Sequence, residues 1–154
     1  MVSVRKAERQ EEQLLQDLMQ EYLSEMAEYY GDQPDADGRY PYRYLPLYFT
    51  DDDRSAYFIY DDTEMIGFAL INAYSLTGEI IRNCIAEFTI FPEYRNKGMG
   101  MKAIAALKEG RSGKWQLKFS MQNKPARRFW TNVKDRFDGA IIPLSENENI
   151  VEFE

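Results

Sequence analysis

Apolar positions recur along this chain in two periods. Between residues 8 and 30, Leu14, Leu15, Leu18, Met19, Tyr22, Leu23, Met26, Tyr29 and Tyr30 repeat at helical spacing, which predicts a long amphipathic helix with a break near its end. The stretch GDQPDADGRYPYRYLP that follows has no period and reads as an irregular loop crowded with tyrosines. Strands are expected at AYFIY and EMIGFALINAY, joined through DDT as a hairpin, and at NCIAEFTIF, which closes at Pro92 because proline has no N–H for a sheet ladder. MKAIAALKEG is built of strong helix formers and stops at Gly110, expected just past the helix end. KWQLKFS alternates as a strand. NKPARRFWTNVKDRF places Ala126, Phe129, Trp130, Val133 and Phe137 on one helical face, and GAIIPL and NIVEFE end the chain as short strands.

The order is strand, helix, hairpin, central strand, helix, strand, helix and two strands. It predicts a mixed α/β sheet with helices on both faces, in one domain over residues 1–154. A strand, helix, strand unit makes its two strands parallel, and ligands of such sheets bind outside the carboxyl ends of the strands. That rule points to residues 91–102, FPEYRNKGMGMK, a strand end, a tight turn and a helix start. Amides at a helix start have no partners inside the helix and carry the positive end of its dipole. With glycines that let a bulky group approach and with Arg95 and Lys97 beside them, the stretch reads as a phosphate cradle.

Composition narrows the ligand. The chain has no histidine, which removes histidine triads, histidine bases and the usual zinc sets, and no metal site is expected. A net charge of −7 argues against nucleic acid or an anionic membrane as partner and suits a cationic or amine substrate. Cys84 is the single cysteine and lies in an apolar run, so it is expected buried and in a reducing compartment. The first residues carry no apolar signal segment, and the protein is expected to be cytoplasmic.

Three phosphate turns compete for the glycines. A Walker A loop needs Lys and Ser or Thr directly after its last glycine, whereas Gly100 is followed by Met101 and Lys102. A dinucleotide fingerprint accepts Ala103 in its third position but should follow the first strand and be trailed by an acidic residue, and the next strand ends Phe119, Ser120, Met121. The third turn fits. Arg95 to Gly100 matches R-x-x-G-x-G, and Asn123 to Trp130, NKPARRFW, is similar to N-x-x-A-x-x-F-Y one strand later. Together these resemble the GNAT superfamily of acetyl-coenzyme A-dependent N-acetyltransferases, well over residues 55–145 and by element order alone before that.

The resemblance implies a centrally splayed sheet and acetyl-CoA as cosubstrate. It implies a pyrophosphate held by the turn of Arg95, Asn96, Lys97, Gly98, Met99 and Gly100. The pantetheine arm is then expected along the main chain of Phe88 and Ile90, with Asn123 touching it and also capping its helix. It implies direct transfer to a primary amine of a small molecule or a peptide; a catalytically idle coenzyme A-binding module is the alternative. A homodimer is a further expectation.

An amine must lose a proton before it attacks. Strict alternation over 84–91 groups Cys84, Ala86, Phe88 and Ile90 on one face and Ile85, Glu87, Thr89 and Phe91 on the other, leaving Glu87 as a carboxylate in the central strand and the candidate base. Some members of the family carry their base where this chain has Cys84, and many carry a proton-returning Tyr where it has Trp130. Glu25, Tyr29 and Tyr30, with Glu28, Tyr40, Tyr42 and Tyr44, are the expected acceptor lining.

Overall fold

In the computed structural model, which describes all 154 residues, the elements run β1 (Val2–Lys6), α1 (Glu12–Tyr30), β2 (Arg54–Asp61), β3 (Glu64–Asn72), β4 (Asn83–Ile90), α2 (Met99–Gly110), β5 (Trp115–Ser120), α3 (Lys124–Arg136), β6 (Ala140–Pro143) and β7 (Glu148–Phe153). The strands form one sheet in the order β1-β2-β3-β4-β5-β7-β6. Only β4 and β5, joined through α2, run parallel. Period-2 alternation sends Ala56, Phe58, Phe68 and Leu70 to one face, against Leu15 and Met19 of α1. Ala69, Ile71, Leu117, Phe119 and Val151 face the other way, against Ile104 and Leu107 of α2 and Trp130 and Val133 of α3. Helices therefore cover both faces, as the apolar pattern predicts.

Two helix boundaries differ from the expected ones. Helix α1 has no break; it continues to Tyr30 and ends where Gly31 turns left-handed, φ 74°, with its N–H on the Ala27 carbonyl at 2.8 Å. Gly110 is the last residue of α2, not the one beyond it, and Arg111 caps the end. The tyrosine-rich loop is ordered by its own turn, in which the Asp35 carboxylate accepts from the amides of Asp37 and Arg39. No helix is long and apolar enough to cross a membrane.

The central strand departs from simple alternation. Leu70 pairs with Glu87 but Ile71 pairs with Ile85, so Ala86 is the extra residue of a β-bulge. Ile85 and Phe88 consequently both pack toward α2 and α3, while Ala86 packs in the α1-side cluster and Glu87 bonds to α1. The grouping of Ala86 with Phe88, and of Ile85 with Glu87, is thus corrected: one inserted residue switches the faces. Pairing of β4 with β5 stops after Asn83 opposite Trp115 and Cys84 opposite Gln116, just before the bulge. Beyond it the two strands separate.

Candidate active site

The separation opens a cleft of about 1390 Å³ between β4 and β5, roofed by α1 and bounded by the first turns of α2 and α3. Its β4 wall carries main-chain groups that no neighbouring strand partners. Phe91 donates to the Ile66 carbonyl while Ile90 stands opposite Gly67, so Ile90 is in a non-hydrogen-bonded pair and its own N–H and C=O point away from β3, into the gap. Phe88, two residues back, has the same orientation. Gly67 is required opposite, because a Cβ there would run into the Thr89 carbonyl.

The glycine turn lies at the mouth of this gap. Asn96 and Gly98 both adopt left-handed φ, 63° and 77°, and the chain enters α2 at Met99. The first amide of the helix with a partner is that of Lys102, which donates to the Gly98 carbonyl at 3.3 Å. None of the amides from Asn96 to Met101 donates to another group of the chain. This row of unpaired N–H groups at a helix N-terminus fits a pyrophosphate. Gly100 serves packing as well: a Cβ on it would stand 2.7 Å from Cε1 of Phe129, so its absence lets α2 approach α3. Asn96 and Gly98 are exposed at the rim, whereas Lys97 between them is exposed but does not line the cleft.

Arg95 points elsewhere. Its Nε donates to the Ile90 carbonyl at 2.6 Å, and its two terminal nitrogens reach the Glu25 carboxylate at 2.6 and 2.9 Å. The motif arginine braces the turn against α1, and Glu25 is its counter-charge. Asn123 caps α3, its side-chain oxygen accepting from the Ala126 amide at 3.2 Å. Its NH₂ group touches only the Met26 sulfur, at 4.0 Å, and stays free for a cleft ligand.

Glu87 sits half-buried on the α1 side of the gap. Its carboxylate accepts from the hydroxyls of Tyr22, at 2.8 Å, and Tyr42, at 3.0 Å. Burial raises its pKa above the ordinary carboxylate value, opposed by the two hydrogen bonds and by the charge of Lys118 on β5. Both phenols are in turn pushed up, by burial first and then by the neighbouring carboxylate, so they stay protonated as donors. Tyr22, Glu25, Met26, Tyr29 and Tyr30 all line the cleft because their spacing puts them on one stripe of α1. Glu28, Tyr40 and Tyr44 do not line it. Tyr44 instead stacks its ring under Arg54, 5.3 Å away. The apolar stripe that contains Tyr22 gives no sign of its hydroxyl on Glu87, and Lys118 and Glu148, also in the lining, are absent from the expected site. The alternation of KWQLKFS does place Lys118 opposite the buried Leu117 and Phe119, which was the available signal.

Trp130 is buried between Phe88 and Phe129, with ring centroids at 5.5 and 4.7 Å. Phe88 and Phe129 stack face to face at 5.6 Å. The indole is part of the cleft wall and offers no titrating proton. Cys84 is buried, and desolvation pushes its thiol up to about 11, away from nucleophilic use at neutral pH.

Solved structures similar to this chain include acetyltransferases. One from Thermus thermophilus has a TM-score of 0.68 at 14% identity, covering 99% of this chain and 96% of its own. The PaiA N-acetyltransferase of Thermoplasma acidophilum, solved with coenzyme A, has a TM-score of 0.62 at 14% identity over 100% of this chain and 99% of its own. The diaminobutyrate acetyltransferase of Paenibacillus lautus, solved with L-2,4-diaminobutyric acid and coenzyme A, has a TM-score of 0.61 at 15% identity over 99% and 94%. No curated protein sequence matches the chain. The model of the acetyltransferase (GNAT) family matches residues 14–133, most of the length that builds the cleft, and the chain belongs to that family.

Proposed function

We propose that the protein moves acetyl from acetyl-CoA directly onto a primary amine of a small molecule or peptide, with Glu87 as general base. The observation that carries this reading is a carboxylate held by two tyrosine hydroxyls beside a gap where β4 main-chain groups have lost their β5 partner. The unpaired amides of residues 96–101 would hold the pyrophosphate. Phe88, Ile90 and the free NH₂ of Asn123 would orient the pantetheine arm.

In the transfer, Glu87 takes one proton from the acceptor ammonium. The freed amine nitrogen attacks the thioester carbonyl carbon, the carbon–sulfur bond breaks, and sulfur leaves with the bonding pair. The Ile90 N–H meets the charge that develops on the carbonyl oxygen. The second nitrogen proton, released as the amide forms, reaches the thiolate through water. A thiol of pKa near 8.5 is a tolerable leaving group without a dedicated acid. Tyr29 and Tyr30 offer ring faces to the incoming cation.

Calorimetric titration with acetyl-CoA, coenzyme A and NADH, followed by thiol release over a panel of amines, tests the reading. Micromolar binding of the first two, none of NADH, and amine-dependent release are expected. Absence of coenzyme binding overturns it. One observation favours a second reading, an idle coenzyme A-binding module: Trp130 stands where a hydroxyl would return the proton. That module binds coenzyme A and releases no thiol with any amine.

A further inference from the structure

The tyrosine-rich loop reaches Glu87 through a clamp on α1. Gln20 pairs with both main-chain groups of one loop residue: its Oε1 accepts the Tyr40 N–H at 2.7 Å, and its Nε2 donates to the Tyr40 carbonyl at 3.0 Å. A flipped amide would set donor against donor and acceptor against acceptor, so the orientation is fixed by its partners. Pro41 follows with a locked φ, leaving little freedom between the clamp and Tyr42. The Tyr42 hydroxyl then lands on Glu87. A second tie from this loop to α1, Arg39 to Asp17 at 3.4 Å, is exposed at both ends and correspondingly weak.

We propose that Gln20 is a positioning residue, whose clamp on Tyr40 holds the Tyr42 hydroxyl on Glu87 and so sets the pH at which that carboxylate takes up a proton. The effect on rate rests on Glu87 as base; the effect on titration does not. Groups facing Glu87 are Tyr22 and Tyr30 from α1, Tyr42 from the loop, Tyr48 from the turn behind it, Lys118 from β5 and Cys84 on its own strand. In a clamp variant Tyr22 and Lys118 keep their places. What is lost is one O–H that favours the charged form, so burial is less opposed and Glu87 protonates at higher pH.

The test is a carbon-13 NMR titration of the Glu87 carboxyl in the intact protein, in Gln20→Leu, Tyr42→Phe and the double variant, with acetyl-transfer pH profiles on the same samples. Each single change is expected to raise the Glu87 midpoint by about one pH unit, the worth of one hydrogen bond to a charged group. The double variant is expected to move it no further, because both changes remove the same bond. Gln20→Glu, which keeps the acceptor for the Tyr40 N–H and loses the donor, should fall between. An unmoved midpoint in Gln20→Leu overturns the proposal, whether or not Tyr42→Phe moves it, as does a double shift equal to the sum of the singles. If midpoints move and the acidic limb of the rate profile does not follow, the clamp stands and the assignment of Glu87 as base falls.

Discussion

Arg95 and Glu25 face each other as a two-pronged ion pair, at 2.6 and 2.9 Å, while the third edge of the same guanidinium holds the Ile90 carbonyl. One side chain thereby joins α1, the end of β4 and the glycine turn. Both partners are about one-third exposed, 34% and 35%, so solvent screens the pair and its loss costs no more than about 1 kcal/mol of stability.

Glu25→Gln is therefore expected to lower Tm slightly and to weaken acetyl-CoA binding, because the turn loses its brace, while the amine KM changes by less than about threefold. Steady-state kinetics with both substrates varied checks this. An amine KM raised about tenfold, with coenzyme affinity unchanged, would make Glu25 an acceptor ligand instead.

Gly100 gives a second prediction. Because its missing Cβ is the space occupied by Phe129, Gly100→Ala is expected to lose stability as well as coenzyme affinity. Phe129→Leu in the same chain removes the ring that the new methyl meets, and should restore part of the lost Tm. Gly98→Ala meets nothing within 4 Å but strains a left-handed residue, costing about 1 kcal/mol. A thermal-melt cycle over Gly100→Ala, Phe129→Leu and the pair decides: purely additive losses would mean that Gly100 and Phe129 do not share that space.

Features that rest on local pattern were legible in the sequence. The glycine turn, the stripe on α1, the strand ending at Pro92 and the Asn123 cap each follow from a few adjacent residues whose chemistry acts on their own backbone. What was not legible depends on a distant partner. Arg95 reads as a free cation until Glu25, seventy positions away, is brought to it by the packing of α1 on the sheet. Tyr22 reads as core because its ring does pack, edge-on to Phe68 at 5.6 Å, and only its hydroxyl leaves the apolar stripe for Glu87. The bulge at Ala86 has no local marker, since neither glycine nor proline announces it; it becomes visible only in the register against β3.

Trp130 supplies a third prediction. Its indole is walled in by Phe88 and Phe129, and its N–H can donate a hydrogen bond but does not ionise at working pH. Trp130→Phe is expected to keep kcat within about threefold and to leave the basic side of the pH profile unchanged, with a loss of Tm from the smaller ring. A large fall in kcat confined to high pH would assign the indole a part in thiolate departure. Trp130→Tyr on the same background shows whether a hydroxyl at this position adds anything.

The fourth prediction concerns pH and carries a definite sign. Glu87 has a folded pKa above its unfolded value, so the folded state binds its proton more tightly than the unfolded chain does. The stability it contributes is fully present below the unfolded pKa, near 4.3, and is lost as pH rises through the raised folded value. With Glu87 as the proposed base, catalysis is expected to run the opposite way: the base form appears only above that value, so activity should rise through the interval in which stability falls. Glu87→Gln carries no ionisable group and is expected to remove both trends. Its Tm should decline less than that of the wild type as pH rises from the unfolded carboxylate range through the raised folded value, and its rate should be reduced by about 10²-fold or more with no acidic limb. Paired melts and rate profiles across that window read both quantities from the same two proteins. A wild-type melt that strengthens with pH over the same window, relative to the variant, would mean that the two tyrosine hydroxyls and Lys118 outweigh burial and that the carboxylate is ionised too readily to hold a proton taken from an amine.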